Sequence, residues 1–299
     1  MSTFVVRRLA AVRCGVARLA GALPLGTRVL ALVLLSAAAP ASAQIDEAAS
    51  ERLMRSSGLW EQLGATAAGA RAGIEAAANN RLTPLSAEEV QRLLRATDAA
   101  FAAETLRPAV RRALAARVLP AHLEAIDAWL GGDLGRRITA IEVAASRPDR
   151  DSERTIRAGI ARLREAPEAR RRLIENLVES TRSAEAITNM TINVAVAVQR
   201  GMASVKPDGP AAPVATLREA FAAQRAQMQQ AYRGMSQALF AEMYQGLAEA
   251  DLASYLEFLR SAAGQQFLDA TMQAMEQALV EAAERLGTRL PGVRPGANT

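Results

Sequence analysis

The chain has 299 residues, half of them apolar and 4% aromatic, with 36 Lys and Arg against 31 Asp and Glu. Five arginines and no acid lie in the first 43 residues, so loss of a leader there takes 36 to 31 and leaves a formally neutral chain. Neutrality excludes a nucleic-acid footprint, which needs a basic excess that survives processing, and the placement of the only cysteine, Cys14, in that leader excludes a disulfide scaffold and a thiolate metal site in the remainder.

Residues 1–43 read as a cleaved signal peptide. Arg7, Arg8, Arg13, Arg18 and Arg28 make a basic start, Val29 to Ala39 an apolar core, and Ala41, Ser42 and Ala43 a small-residue processing site. Cleavage is expected after Ala43, with periplasmic localisation. The apolar core is too short to span a bilayer, and no transmembrane segment is expected after cleavage. Arg7-Arg8 imitates a twin-arginine signal, but Leu9, Ala10 and Ala11 support it weakly, so ordinary secretion is expected.

Residues 44–147 form a first helical half. Leu53, Met54, Leu59, Trp60 and Leu63 open it, with Gly58 as a helix stop or kink. Gly64 to Ala78 is almost all small residues, and close helix packing at Gly69 and Gly73 is the expected compensation for two helix-interior glycines. Ser86 and Glu89 form a capping box ahead of a helix whose inward face is Val90, Leu93, Leu94 and Thr97. Pro108 is placed in the first turn of the next helix, where its missing N–H is harmless. Val118 to Ser146 then reads as a short helix, a glycine corner and a second helix, with Asp133 as its N-cap candidate.

Residues 148–168 form a charged connecting segment, and Asp151 or Ser152 can cap a helix with the narrow stripe Ile156, Ile160 and Leu163. Residues 169–286 form the second half. Pro167 opens a helix, and a long apolar run follows from Leu173 to Gly201. Lys206 to Pro213 is a Pro- and Gly-bearing loop, and Met235 to Leu247 leads into Leu247 to Ala283, again a short helix, a corner and a longer helix. Leu252, Tyr255, Leu256 and Leu259 follow the i, i+3, i+4, i+7 spacing of one helix face, and Ser261 can cap the helix that follows. Residues 287–299 have no periodicity and are expected to be a disordered tail. Alanine-rich composition with few aromatic or β-branched runs makes the fold class all-α.

A shift of 129 places aligns the two corners. It pairs Leu123 with Leu252, Ile126 with Tyr255, Trp129 with Phe258, Leu130 with Leu259, Gly135 with Gly264 and Ile138 with Phe267. The expected architecture is therefore two related helical half-bundles, an internal duplication, packed together. The pattern Leu252, Tyr255, Phe258, Leu259, Ser261, Gly264, Phe267 resembles the C-terminal signature of a family of secreted bacterial all-helical proteins known only as a domain of unknown function. The stretch Leu123–Ile138 matches it more loosely, with Gly132 in place of Ser261 and Ile138 in place of Phe267. The resemblance implies a helical bundle in the bacterial envelope and supplies no catalytic residues.

Chemistry is sparse in this sequence. His122, the only histidine, reads as a polar position on a helix face, and one histidine without cysteine makes no zinc site. Glu142 stands at the edge of a buried stripe, where an acid needs a partner, and Arg111 or Arg112 is the expected one. Arg170, Arg171 and Arg172 read as a salt-bridged surface more than a polyanion site. The methionines of the second half, such as Met243 and Met275, read as core, although methionines also line adaptable grooves. No catalytic, cofactor or metal site is expected, and the protein is read as no enzyme. The expected function is non-enzymatic binding of an envelope protein, a peptide or a lipid, through a groove lined by Trp60, Trp129, Tyr255 and Phe258. The alternatives are a carboxylate-dependent hydrolase using Glu142 and a purely structural envelope component.

Overall fold

A computed structural model of the protein describes residues 44–79, 86–147, 151–205 and 214–289. The leader, the centre of the connecting turn, the loop at 206–213 and the end of the tail lie outside the described residues. Among those described, every regular element is an α-helix: α1 (Glu47–Ser56), α2 (Leu59–Asn79), α3 (Ala87–Ala100), α4 (Ala103–Ala115), α5 (Pro120–Gly131), α6 (Asp133–Ala145), α7 (Ser152–Glu165), α8 (Glu168–Ser180), α9 (Ser183–Val205), α10 (Val214–Met243), α11 (Glu249–Arg260) and α12 (Ala262–Thr288). The all-α expectation holds. None of these helices is long and apolar enough to cross a membrane.

Local chemistry sets many of the boundaries. Gly58 ends α1 in a left-handed conformation, at φ 73°, which only glycine adopts without a steric penalty. At the start of α3 the Ser86 hydroxyl accepts from the Glu89 backbone N–H, and the Glu89 carboxylate accepts from the Ser86 N–H. The Asp151 carboxylate caps α7 by accepting from the Arg154 N–H at 2.9 Å.

Other expectations are corrected. Helix α4 begins at Ala103, so Pro108 sits in its interior. The carbonyl deprived of a partner belongs to the exposed Glu104, which water can serve. The apolar run from Leu173 to Gly201 is two helices, broken where Arg182 takes φ 48°. A Cβ on Gly69 would meet nothing within 4 Å, so that glycine makes no close helix contact, and Gly73 is beyond the residues whose surroundings are described. Helix α12 continues to Thr288, two residues into the expected tail, because Gly287 and Gly201 let the backbones of α12 and α9 touch.

The two corners coincide in backbone. Helices α5 and α11 each have 12 residues, and every boundary from Pro120 to Asp133 recurs 129 residues later from Glu249 to Ala262. The linking residues, Gly132 and Ser261, have φ/ψ of −71°/160° and −67°/158°. A Cβ on Gly135 would strike the Trp129 carbonyl, and one on Gly264 the Phe258 carbonyl, so each glycine admits the preceding helix at the same point. The caps differ. Ser261 accepts from the Gly264 N–H at 3.0 Å, whereas Gly132 occupies the capping position of α6 with no side chain to offer. Asp133, the expected cap, is instead the first helical residue and pairs with Arg136.

The cores do not divide where the sequence does. One core is built from α1 to α5 together with α9 and α12, through residues such as Leu53, Leu106, Ile126, Ala274 and Leu286. The other joins α6, α8 and α11 with the turn that follows α10, through Ile138, Leu177, Tyr244, Leu252 and Leu256. Helix α6 thus leaves its own half and fills the second core, while α12, together with its main neighbour α9, fills the first. Ile138 and Phe267, at matching positions, go to opposite cores. Trp129 packs against both cores and so stands at the crossing.

Candidate functional site

Where the two corners cross, their matching positions face a common space. A cavity of about 220 Å³ is walled by Trp129, Leu130, Gly135, Ile138, Thr139 and Glu142 from α5 and α6. Their counterparts at the same offset, Phe258, Leu259, Gly264, Phe267, Leu268 and Thr271, wall it from α11 and α12. Ser57, Leu59, Gln62, Tyr255 and Met275 complete the lining. The exchange of α6 and α12 creates the space, since each corner lays its second helix beside the other corner.

The walls are mostly apolar and aromatic. The Trp129 ring stacks on Phe258 with centroids 4.6 Å apart and planes 6° apart, and lies parallel to Tyr255 at 6.0 Å. Stacked pairs of this kind contribute roughly 0.5–1.5 kcal/mol beyond the area they bury. Three of the four residues expected to line a groove are therefore together. Trp60 is not with them. It lies on α2 between two guanidinium groups, with the Arg55 and Arg107 carbons 3.9 and 4.5 Å from its ring centroid, and its neighbours Leu59 and Gln62 reach the cavity instead.

Glu142 is the one carboxylate in the lining. Its expected arginine partners are elsewhere: Arg111 bridges to Glu47 and Glu51 on α1, and Arg112 is exposed. The tyrosines take their place. Tyr244 donates its hydroxyl to Glu142 Oε1 at 2.6 Å and Tyr255 donates to the same oxygen at 2.9 Å. Among the described residues no donor reaches the other oxygen, Oε2. Burial of the carboxyl holds the Glu142 pKa above the ordinary glutamate value, although the residue keeps part of its surface open, and the two phenol bonds pull the other way. Both tyrosines are pushed well above the usual phenol value, first by burial and then by the neighbouring acid. At the position 129 residues beyond Glu142, Thr271 has a buried hydroxyl oxygen with no hydrogen-bond partner among the described residues.

The other candidate positions are occupied by structure. His122 is half-buried on α5. Arg170 donates to the Tyr244 and Leu247 carbonyls, Arg171 to the Ala166 carbonyl, and Arg172 pairs with Glu168. A second depression, of about 210 Å³, is lined by Arg162 and Arg170, and Arg162 is spent on Glu242 at 2.5 Å. Among the described residues no group of three or more His, Cys, Asp or Glu side chains is placed to hold a metal.

Tyr244 and Thr271 were missed in the sequence. The signal for Thr271 was present, because the offset that aligns the corners pairs it with Glu142. Tyr244 carried none, since its role depends on a contact with a residue 102 positions away. Compared with family models, with curated proteins and with solved structures, the chain matches none.

Proposed function

We propose that the protein is a non-enzymatic periplasmic binding module whose ligand enters the cavity between the two corners. The supporting observation is that cavity: matching positions of both corners wall it, and one oxygen of its only carboxylate is left without a donor. At about 220 Å³ it falls below the roughly 300–1,000 Å³ of pockets for drug-sized ligands. It exceeds an apolar cavity of about 150 Å³ that admits benzene. A small molecule or the end of one side chain fits such a space, and a whole lipid does not. The export signal in residues 1–43 and the resemblance to the secreted helical family belong to the same proposal, as does the origin of the two corners by duplication of one ancestral hairpin.

Trp129 provides the test. With Trp60→Phe the protein keeps one tryptophan, in the cavity wall, and its emission reports on occupancy. Titration with small apolar and amphipathic molecules is expected to shift that emission saturably. No response across such a panel contradicts the reading. Periplasmic localisation is tested by cell fractionation and N-terminal sequencing of the exported protein, expected to begin at Gln44 and contradicted by recovery of the whole chain from the cytoplasm.

A carboxylate-dependent hydrolase is the competing reading. It is favoured by a desolvated Glu142 whose partners are phenols and not an arginine. It predicts turnover of a small ester or glycoside that Glu142→Gln abolishes. A single acid with no second acid in the same lining gives it less to work with.

A further inference from the structure

The unpaired oxygen of Glu142 selects the ligand. An ionised carboxylate is acceptor-only, and in this cavity Oε1 is engaged by both phenols while Oε2 has no donor among the described residues, in a lining mostly of rings and aliphatic side chains with Ser57, Gln62 and Thr139 among them. Glu142 is half-buried, and a carboxylate oxygen with so much apolar surface about it gains a charge-assisted bond from a cationic donor that reaches it. The cavity lining supplies a second oxygen in need of a partner, the Thr271 hydroxyl. Two oxygens able to accept, a carboxylate that a cation would hold ionised and a hydroxyl, in mostly apolar walls describe the complement of a compact cation on an apolar body.

The chemistry narrows the class further. An anion is repelled by Glu142. A guanidinium carries five N–H donors in a rigid plane and leaves most of them unmatched by two oxygens. An alcohol donates once and brings no charge. An ammonium has three donors, small bulk and a positive charge, and a charge-assisted bond to a carboxylate is roughly twice as strong as a neutral one. The ring faces of Trp129 and Phe258 are turned on each other, so the cation is held by the oxygens and the rings serve the apolar part.

We infer that the cavity binds a small lipophilic primary amine as its ammonium ion, with the nitrogen held by Glu142 Oε2 and Thr271 Oγ1 and the apolar body against Trp129, Phe258 and Phe267. The inference rests on the binding reading above and adds the ligand class to it.

Phenethylamine, 2-phenylethanol and ethylbenzene share one ring and differ in head group, so they separate the two claims. In the Trp60→Phe protein, phenethylamine is expected to bind about tenfold or more tighter than the alcohol, and the hydrocarbon to bind more weakly still. Glu142→Gln is expected to remove that advantage and bring the amine to about the affinity of the alcohol. Thr271→Val keeps the charge and is expected to weaken the amine several-fold, which carries the test should Glu142→Gln fail to fold. Equal affinity for all three probes overturns the ammonium assignment and leaves the cavity as a binding site. Absence of binding by any of them overturns both.

Discussion

The corner at Gly135 and the corner at Gly264 share a backbone and differ in what surrounds them. Each has a 12-residue helix, an extended linking residue and a glycine under the preceding helix's carbonyl. Yet α6 ends after 13 residues in the core of the second half, and α12 runs 27 residues through the core of the first. The local sequence therefore determines the bend, and the lengths and apolar faces of the helices determine which core each one joins. The cavity marks the place where the two solutions meet, and its asymmetry, Glu142 against Thr271, gives it a chemistry that a symmetric pair of corners lacks.

Removing the shared feature is expected to have the largest effect. Gly264→Ala and Gly135→Ala each drive a Cβ into a backbone carbonyl that cannot swing aside. Each should cost about 3 kcal/mol or more in thermal or denaturant unfolding. Gly264→Ala should cost more, because α12 supplies eight buried members of the first core and α6 one of the second. A smaller loss at Gly264 than at Gly135 would contradict the exchange of helices as the source of stability.

Swapping the caps sharpens the comparison at lower energy. Ser261→Ala removes the bond to the Gly264 N–H and should cost about 1 kcal/mol. Gly132→Ser places the same side chain on nearly the same backbone and should stabilise α6 by a few tenths of a kcal/mol. The gain is limited because the new Cβ stands 3.3 Å from the Ala128 and Trp129 carbonyl oxygens. Loss of stability on Gly132→Ser would show that the two corners are less alike than their angles.

The smallest effect is a slope with pH. Glu142 has its folded pKa raised by burial, so the folded state favours the protonated form. Its contribution to stability is complete below the ordinary glutamate value of 4.5 and is lost as pH rises through the folded value. Tyr244 and Tyr255 face it and are raised beyond this range, so they do not titrate across it. Glu142→Gln lacks the ionisation, and its melting temperature relative to the unaltered protein should rise as pH climbs above the ordinary glutamate value of 4.5. A difference independent of pH would mean that the carboxyl is not desolvated.

How much could be read in advance follows the range of the interactions. The helices, both corners and the Ser86 and Ser261 caps were legible because they depend on spacings of three or four residues. Trp60, Trp129, Tyr255 and Phe258 were grouped on residue type alone; the last three meet because the corners cross, and Trp60 lies elsewhere. The exchange of α6 and α12 had no local trace, because either core offers an apolar face to an amphipathic helix. Glu142 was legible as an acid needing a partner. Its partners were not, since Tyr244 and Tyr255 are 102 and 113 residues away and a buried carboxylate accepts phenols as readily as guanidinium groups.

A crystal structure of the protein grown with phenethylamine tests the central claim directly. The account predicts the amine nitrogen within hydrogen-bonding distance of Glu142 Oε2 and the ring against Trp129. A cavity closed by its own side chains, or the amine bound anywhere else, would contradict it.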